Sequence, residues 1–196
     1  MAEWIISNAY LSSEQQDNNA LCMWDDLHAR GWSVNAVSAV AGNFARESNL
    51  NPGIWQNLDE GNTSLGLGLG QWTPATKLIN WADGEGIPWR SGANQCRFLD
   101  ENSGQWHETG RPGSVTGKPV ISWDEFKKST LDVNTLTHYF YAWWEDPAYS
   151  DTTLPARQES AQHFYTLLSG HEPGPGPGPQ PKPGKKMKLM YYLRRL

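Results

Sequence analysis

After Gly170 the sequence becomes HEPGPGPGPQPKPG, and alternating proline and glycine can neither bury apolar surface nor carry a regular hydrogen-bond ladder. Whatever core this chain builds must therefore come from residues 1–170, a length that suits one domain. The remainder divides into an extended spacer, 171–184, and a basic amphipathic tail, 185–196, in which Leu189, Leu193 and Leu196 fall at helical spacing among positive charges.

Charge follows the same division. The six basic residues Lys182, Lys185, Lys186, Lys188, Arg194 and Arg195 account for part of a total of 16 Lys and Arg, which leaves ten against 21 Asp and Glu on the rest. An acidic body argues against a nucleic-acid-binding domain, because phosphate recognition needs a positive face. The basic tail is suited instead to an anionic wall or membrane surface, or is a plain solvated terminus.

Two cysteines, Cys22 and Cys96, are too few for a disulfide framework, and spacing does not decide whether they pair. The five histidines are scattered without metal-ligand spacing, so neither a metal nor another cofactor is expected. The opening MAEWIISNAYLSSEQQ has no positive segment followed by an apolar run, so a secretory signal is not expected. A chain of this kind acting on an extracellular substrate is expected to ride on a particle or to escape by lysis.

The body reads as mostly α. Ser12 or Ser13 caps a first helix whose apolar spacing stops at Gly31, and Ser33 caps a second, SVNAVSAVAGNFARES, ended by Asn51 and Pro52. Glu47 falls in the last turn of that second, apolar helix. The stretch NPGIWQNLDEGNTSLGLGLGQW is dense in Gly and Asn, and its LGLGLG alternation predicts a small hairpin. Thr73 and Pro74 have the chemistry of a helix start. A short helix is expected around NQCRFLDENS, and a loop near 110–120. Ser122 with Glu125 makes a capping box, Asp132 caps a helix through YAWWE, and PARQESAQHFYTLLSG closes the domain with Gly170 past its end. Most of the 11 tryptophans are expected in the core, the remainder as platforms for sugar rings.

A carboxyl at the end of a buried helix, facing a glycine-rich loop, has the partial burial that a glycosidase's general acid requires. On spacing alone the signal is weak, because a helix-terminal Glu is solvated and inert in most proteins. The strings ESNLNP and GLGQWTPAT, however, resemble the paired motifs of lytic transglycosylases and goose-type lysozymes. The longer run AGNFARESNLNPGIWQNLDEGNTSLGLGLGQWTPATKLINWA, with YFYAWWEDPA and YTLLSG later, is similar to the phage tail lysozyme family, as found at the tail tip of small Bacillus podophages. This resemblance covers most of residues 1–170, strongly over 41–82 and in patches over 90–130.

It implies an α+β lysozyme-like fold, a mostly helical domain with the hairpin beside an active-site cleft. It also implies a hydrolase of peptidoglycan, a cell-wall-degrading and antimicrobial activity carried on a virion tail among other tail proteins. Carried onto this sequence, it makes Glu47 the catalytic acid and Gln71 the amide facing the glycan. Trp72 either stacks on a sugar or packs behind the loop. Thr63 and Ser64 fall on the cleft wall, and Tyr141 and Glu145 on the late helix. Glu145 is either a substrate contact or a structural carboxylate paired with Arg46 or Arg157. For a second carboxylate, Asp59 and Glu60 lie in the loop after the Glu47 helix, Glu60 nearer the hairpin. Three outcomes stay open: hydrolysis between N-acetylmuramic acid and N-acetylglucosamine, transglycosylation through one Glu, or wall binding without turnover. The family's relatives carry a metallopeptidase domain after the linker, where this chain has its basic peptide.

Overall fold

The computed structural model describes residues 2–107, 119–145 and 151–174. The spacer and basic tail expected from sequence lie outside those residues from 175 onward, as does most of the loop expected near 110–120. Seven α-helices are found among them: α1 (Ser13–His28), α2 (Val34–Ser48), α3 (Thr76–Glu85), α4 (Gly92–Glu101), α5 (Trp123–Lys128), α6 (Val133–Phe140) and α7 (Leu154–Ser169).

The caps explain most of the boundaries. Ser12 and Ser122 each form a capping box, with Gln15 and Glu125, while Ser33 and Asp132 accept from Ala36 N and Thr135 N. Gly170 follows the last residue of α7. Thr73 does not act as the expected cap. Its hydroxyl donates to Gln71 O at 3.0 Å, and the helix starts only at Thr76.

Every residue from Ala36 to Phe44 of α2 is buried, so α2 is a central helix wrapped on all sides. Helices α1, α5, α6 and α7 pack around it. Gly42 lies against Ala161 and Glu47 pairs with Arg157, so α2 and α7 run antiparallel. The polar groups inside this bundle are satisfied locally. Asn43 donates to Ala39 O and to Thr137 O of α6, and it accepts from Arg157 of α7. Eight of the 11 tryptophans are buried, and Trp32, Trp106, Trp123, Trp143 and Trp144 interlock with Phe126 and Phe140 into one aromatic block. Cys22 and Cys96 are both buried free thiols, and burial pushes Cys22 up to about 12, so neither is a thiolate at neutral pH.

The β-hairpin is a correction. No strand pair forms among the described residues, only a single antiparallel bridge between Trp55 and Leu67. The LGLGLG run is instead an irregular loop whose polar groups are taken up by buried side chains. Leu69 N donates to Gln95 Oε1 at 2.8 Å, and Leu69 O accepts from Ser48 Oγ at 2.7 Å. Gly68 stands at φ +75, where a Cβ would lie 2.4 Å from Gln95 Oε1. Glycine is thus selected there by close approach of a buried glutamine, and the alternation mimics a strand without being one.

Candidate active site

Glu47 occupies the last turn of α2, and the chain turns sharply just beyond it. Asn49 and Leu50 both take left-handed backbone at φ 54, an uncommon conformation for a buried leucine. The turn is held from several sides. Ser48 Oγ ties it to Leu69 O, and Asn19 Nδ2 donates to Leu50 O at 2.9 Å. Asn51 accepts from Ser7 N and Gly53 N and donates to Ala9 O, pinning the N-terminal arm beneath. Gln95 Nε2 bridges Pro52 O and Trp89 O at 2.7 and 2.8 Å. A fixed helix end and a fixed loop therefore face each other.

Between them is a cavity of about 380 Å³, lined by Glu47, Gln71, Lys77, Tyr141, Glu145 and Arg157, with Trp72, Thr73, Gln105 and Trp144 completing its walls. Glu47 accepts a hydrogen bond from Arg157 Nη2; its side chain is 28% exposed while that of Arg157 is 9% exposed. The guanidinium also donates from Nη1 to Asn43 O and Oδ1 and lies 4.7 Å from the centre of the Tyr141 ring. Tyr141 OH is 3.0 Å from Thr153 Oγ1.

Glu145 closes the cavity from a wider, π-type turn, Tyr141–Glu145, that prolongs α6. The residue as a whole is half-buried, but its Oε1 is fully enclosed and has no hydrogen-bond partner. Burial first, and then the charge of Glu47, push its carboxyl up to about 8, against the opposing influence of Arg157. Two carboxyls therefore share the pocket in different surroundings: Glu47 is paired with a buried cation, while enclosed Glu145 is held protonated at neutral pH.

The other residues singled out from sequence are placed as follows. Gln71 is on the cavity wall in left-handed backbone, its Nε2 donating to Gly68 O and Ile54 O at 3.0 and 3.3 Å. Trp72 is 2% exposed, edge-on to Phe44 and Phe98, so it packs as a core indole behind the loop. Thr63 and Ser64 are exposed, and Ser64 Oγ donates to Asn62 Oδ1; neither lines the cavity. Asp59 and Glu60 are also exposed and outside it, with Asp59 accepting from Asn62 and Glu60 paired with Arg90. Of the carboxyls considered, the fold brings only Glu145 into the pocket with Glu47.

Arg157 and Lys77 were not proposed from sequence as parts of the site. A signal for Arg157 existed: Leu154, Arg157, Ala161, Phe164 and Leu168 form the buried stripe of α7, and a charge in such a stripe needs an internal partner. Among the described residues no group of three or more His, Cys, Asp or Glu is arranged to hold a metal, and no helix is long and apolar enough to cross a membrane.

A helical domain holds a carboxyl at the end of its central helix, opposed by a glycine-rich loop across a polar cavity. The chain belongs to the phage tail lysozyme family, whose model matches residues 18–168. It is also 41% identical over 166 residues to Morphogenesis protein 1 of Bacillus phage B103, an alignment covering 83% of this chain and 42% of that protein. The chain thus spans less than half the length of this relative.

Proposed function

We propose that this protein is a peptidoglycan glycosidase that cleaves the β-1,4 bond between N-acetylmuramic acid and N-acetylglucosamine, with Glu47 protonating the bridging oxygen. The observation that carries this reading is the position of Glu47 on the wall of a polar cavity, opposite the Gly-rich loop and beside a second carboxyl. Departure of the sugar oxygen needs a proton and leaves positive charge on the ring, and a pair of carboxyls supplies both requirements.

The neighbours suit a wall glycan. Gln71 commits its amide N–H groups to the loop, so its carbonyl oxygen is the atom available to an acetamido N–H. Lys77 is exposed at the rim and supplies an N–H donor for the lactyl group that distinguishes muramic acid from glucosamine. Tyr141 holds the Arg157 guanidinium against Glu47 and so takes part through positioning. The family and the relative's name support a phage setting. The enzyme would travel in the virion with other tail proteins and open a Gram-positive wall for DNA entry, and the tail 185–196 would add contact with the anionic wall.

Purified walls supply the test. Wild type should clear their turbidity and release reducing ends, and Glu47→Gln should lower both rates at least 100-fold, on the order expected for a lost general acid. Full activity in that variant would overturn the reading. Mass spectra of the fragments should show a hydrated muramic end; an anhydro end would make the reaction transglycosylation, and wall binding without fragments would make the protein a non-catalytic module.

A further inference from the structure

The reaction proposed above asks Glu47 for a proton, yet Glu47 is the salt-bridge partner of Arg157. We propose that the proton Glu47 delivers is kept on Glu145, and that it passes to Glu47 when a glycan fills the cleft. This inference rests on the reading of Glu47 as the acid and assigns Glu145 a positioning role that acts through it.

The geometry consists of two unmatched groups in one pocket. Glu145 Oε1 is buried with no hydrogen-bond partner, and Arg157 Nε is a buried donor that likewise has none. Arg157 already spends Nη2 on Glu47 and Nη1 on Asn43. Its spare N–H is thus the donor a Glu145 carboxylate would require, and a buried ion with a partner costs far less than one without. Two arrangements then have equal net charge. In the first, Glu145 is a neutral acid and Arg157 balances Glu47; in the second, Glu47 is the neutral acid and Arg157 balances Glu145.

The step between them is a proton transfer with no other reactant. The O–H bond of Glu145 breaks and its electron pair stays on Glu145, while a new O–H bond forms on Glu47. Occupancy supplies the bias. The Glu47 side chain is 28% exposed, so a sugar ring laid over it removes water and penalises its charge, whereas the enclosed Oε1 of Glu145 loses nothing further. The proton belongs to the pair as a whole, since burial and the charge of Glu47 raise Glu145 while Arg157 opposes them. The charged and titratable groups facing this pair among the described residues are Arg157 from α7, Lys77 from α3 and Tyr141 from the same turn.

The test measures kcat/KM on soluble wall fragments against pH for wild type, Glu145→Gln and Glu145→Asp. A shared proton held to about pH 8 makes the wild-type profile level from about pH 5 to 7. Glutamine keeps the shape and removes the reservoir. Its profile should then fall about tenfold per pH unit, leaving it about 100-fold lower at pH 7 than at pH 5. Aspartate should restore the level region. A merely structural role predicts a profile that is scaled down but unmoved.

Carbon-13 NMR of glutamate-labelled wild type gives a readout that does not depend on any variant folding. One side-chain carboxyl should titrate near pH 8, and Glu47→Gln should move that titration to lower pH by removing a like charge. An unmoved Glu145→Gln profile, or no glutamate titrating above about pH 7 in wild type, overturns the proposal. Loss of activity in Glu47→Gln alongside either result would leave the glycosidase reading standing and remove only the role of Glu145.

Discussion

Replacing Gly42 by alanine tests whether the contact between α2 and α7 sets the catalytic geometry. A Cβ at this position would lie 2.5 Å from Ala161 Cβ and 2.6 Å from both Ala161 N and Arg157 O. Ordinary carbon contacts begin near 3.5 Å, so α7 would have to retreat by about 1 Å. Two effects oppose each other. Alanine favours a helix over glycine by about 1 kcal/mol, while overpacking against backbone costs about 1–3 kcal/mol and more when the obstacle cannot rotate away. All the obstructing atoms here are backbone or the first side-chain carbon, so the steric cost wins and the net loss should be about 1–2 kcal/mol. For a domain of this size that is a fall in Tm of about 2–8 °C. The same retreat carries Arg157 away from Glu47, and a misplacement of about 1 Å in a catalytic constellation can cost about 100-fold in rate. Calorimetry with a turbidity assay at a temperature where both proteins are folded measures the two effects separately. An unchanged or higher Tm with full activity would refute the claim that this contact is at its steric limit.

Two further outcomes follow from particular side chains. Asp26 accepts from Trp4 Nε1 at 3.0 Å, and burial raises its carboxyl to about 6, so the folded state holds this proton more tightly than the unfolded chain. Its contribution to stability is therefore full below about pH 4 and lost as pH rises through about 6; Asp26→Asn, which keeps the acceptor, should be more stable than wild type by about 3 kcal/mol at pH 8 and equal to it at pH 4 in urea titrations. Lys77→Ala should raise KM several-fold, by about 1 kcal/mol of lost attraction, on muramic-acid-containing fragments and leave KM on chitooligosaccharides unchanged; equal effects on both substrates would remove the lactyl contact.

Sequence alone located the helices best where a local device marks their ends. Ser12, Ser33, Ser122 and Asp132 each bond within their own first turn, and such bonds depend on nothing further along the chain. The placement of Glu47 in the last turn of a buried helix was legible for the same reason. The LGLGLG segment misled because an alternating pattern describes both a strand and a loop whose leucines insert inward. The choice was made by Ser48 and Gln95, which satisfy the two polar groups of Leu69 from 21 and 26 residues away. Of the candidate site residues, Gln71 and Tyr141 line the cavity, while Asp59 and Glu60, nearer to Glu47 in sequence, turn outward with their loop.

What the residue order determined by itself is the set of helical caps and a carboxyl presented at the end of an apolar helix. These depend on neighbours within a turn or two and on composition. The tertiary structure alone decided which charges share the pocket. Glu47, Glu145 and Arg157 come from three helical segments, and they meet because Gly42 lets α7 approach α2 and a wide turn prolongs α6. Proton affinity in such a cluster depends on burial and on charges a few ångströms away, and neither is a property of any residue's neighbours in the chain.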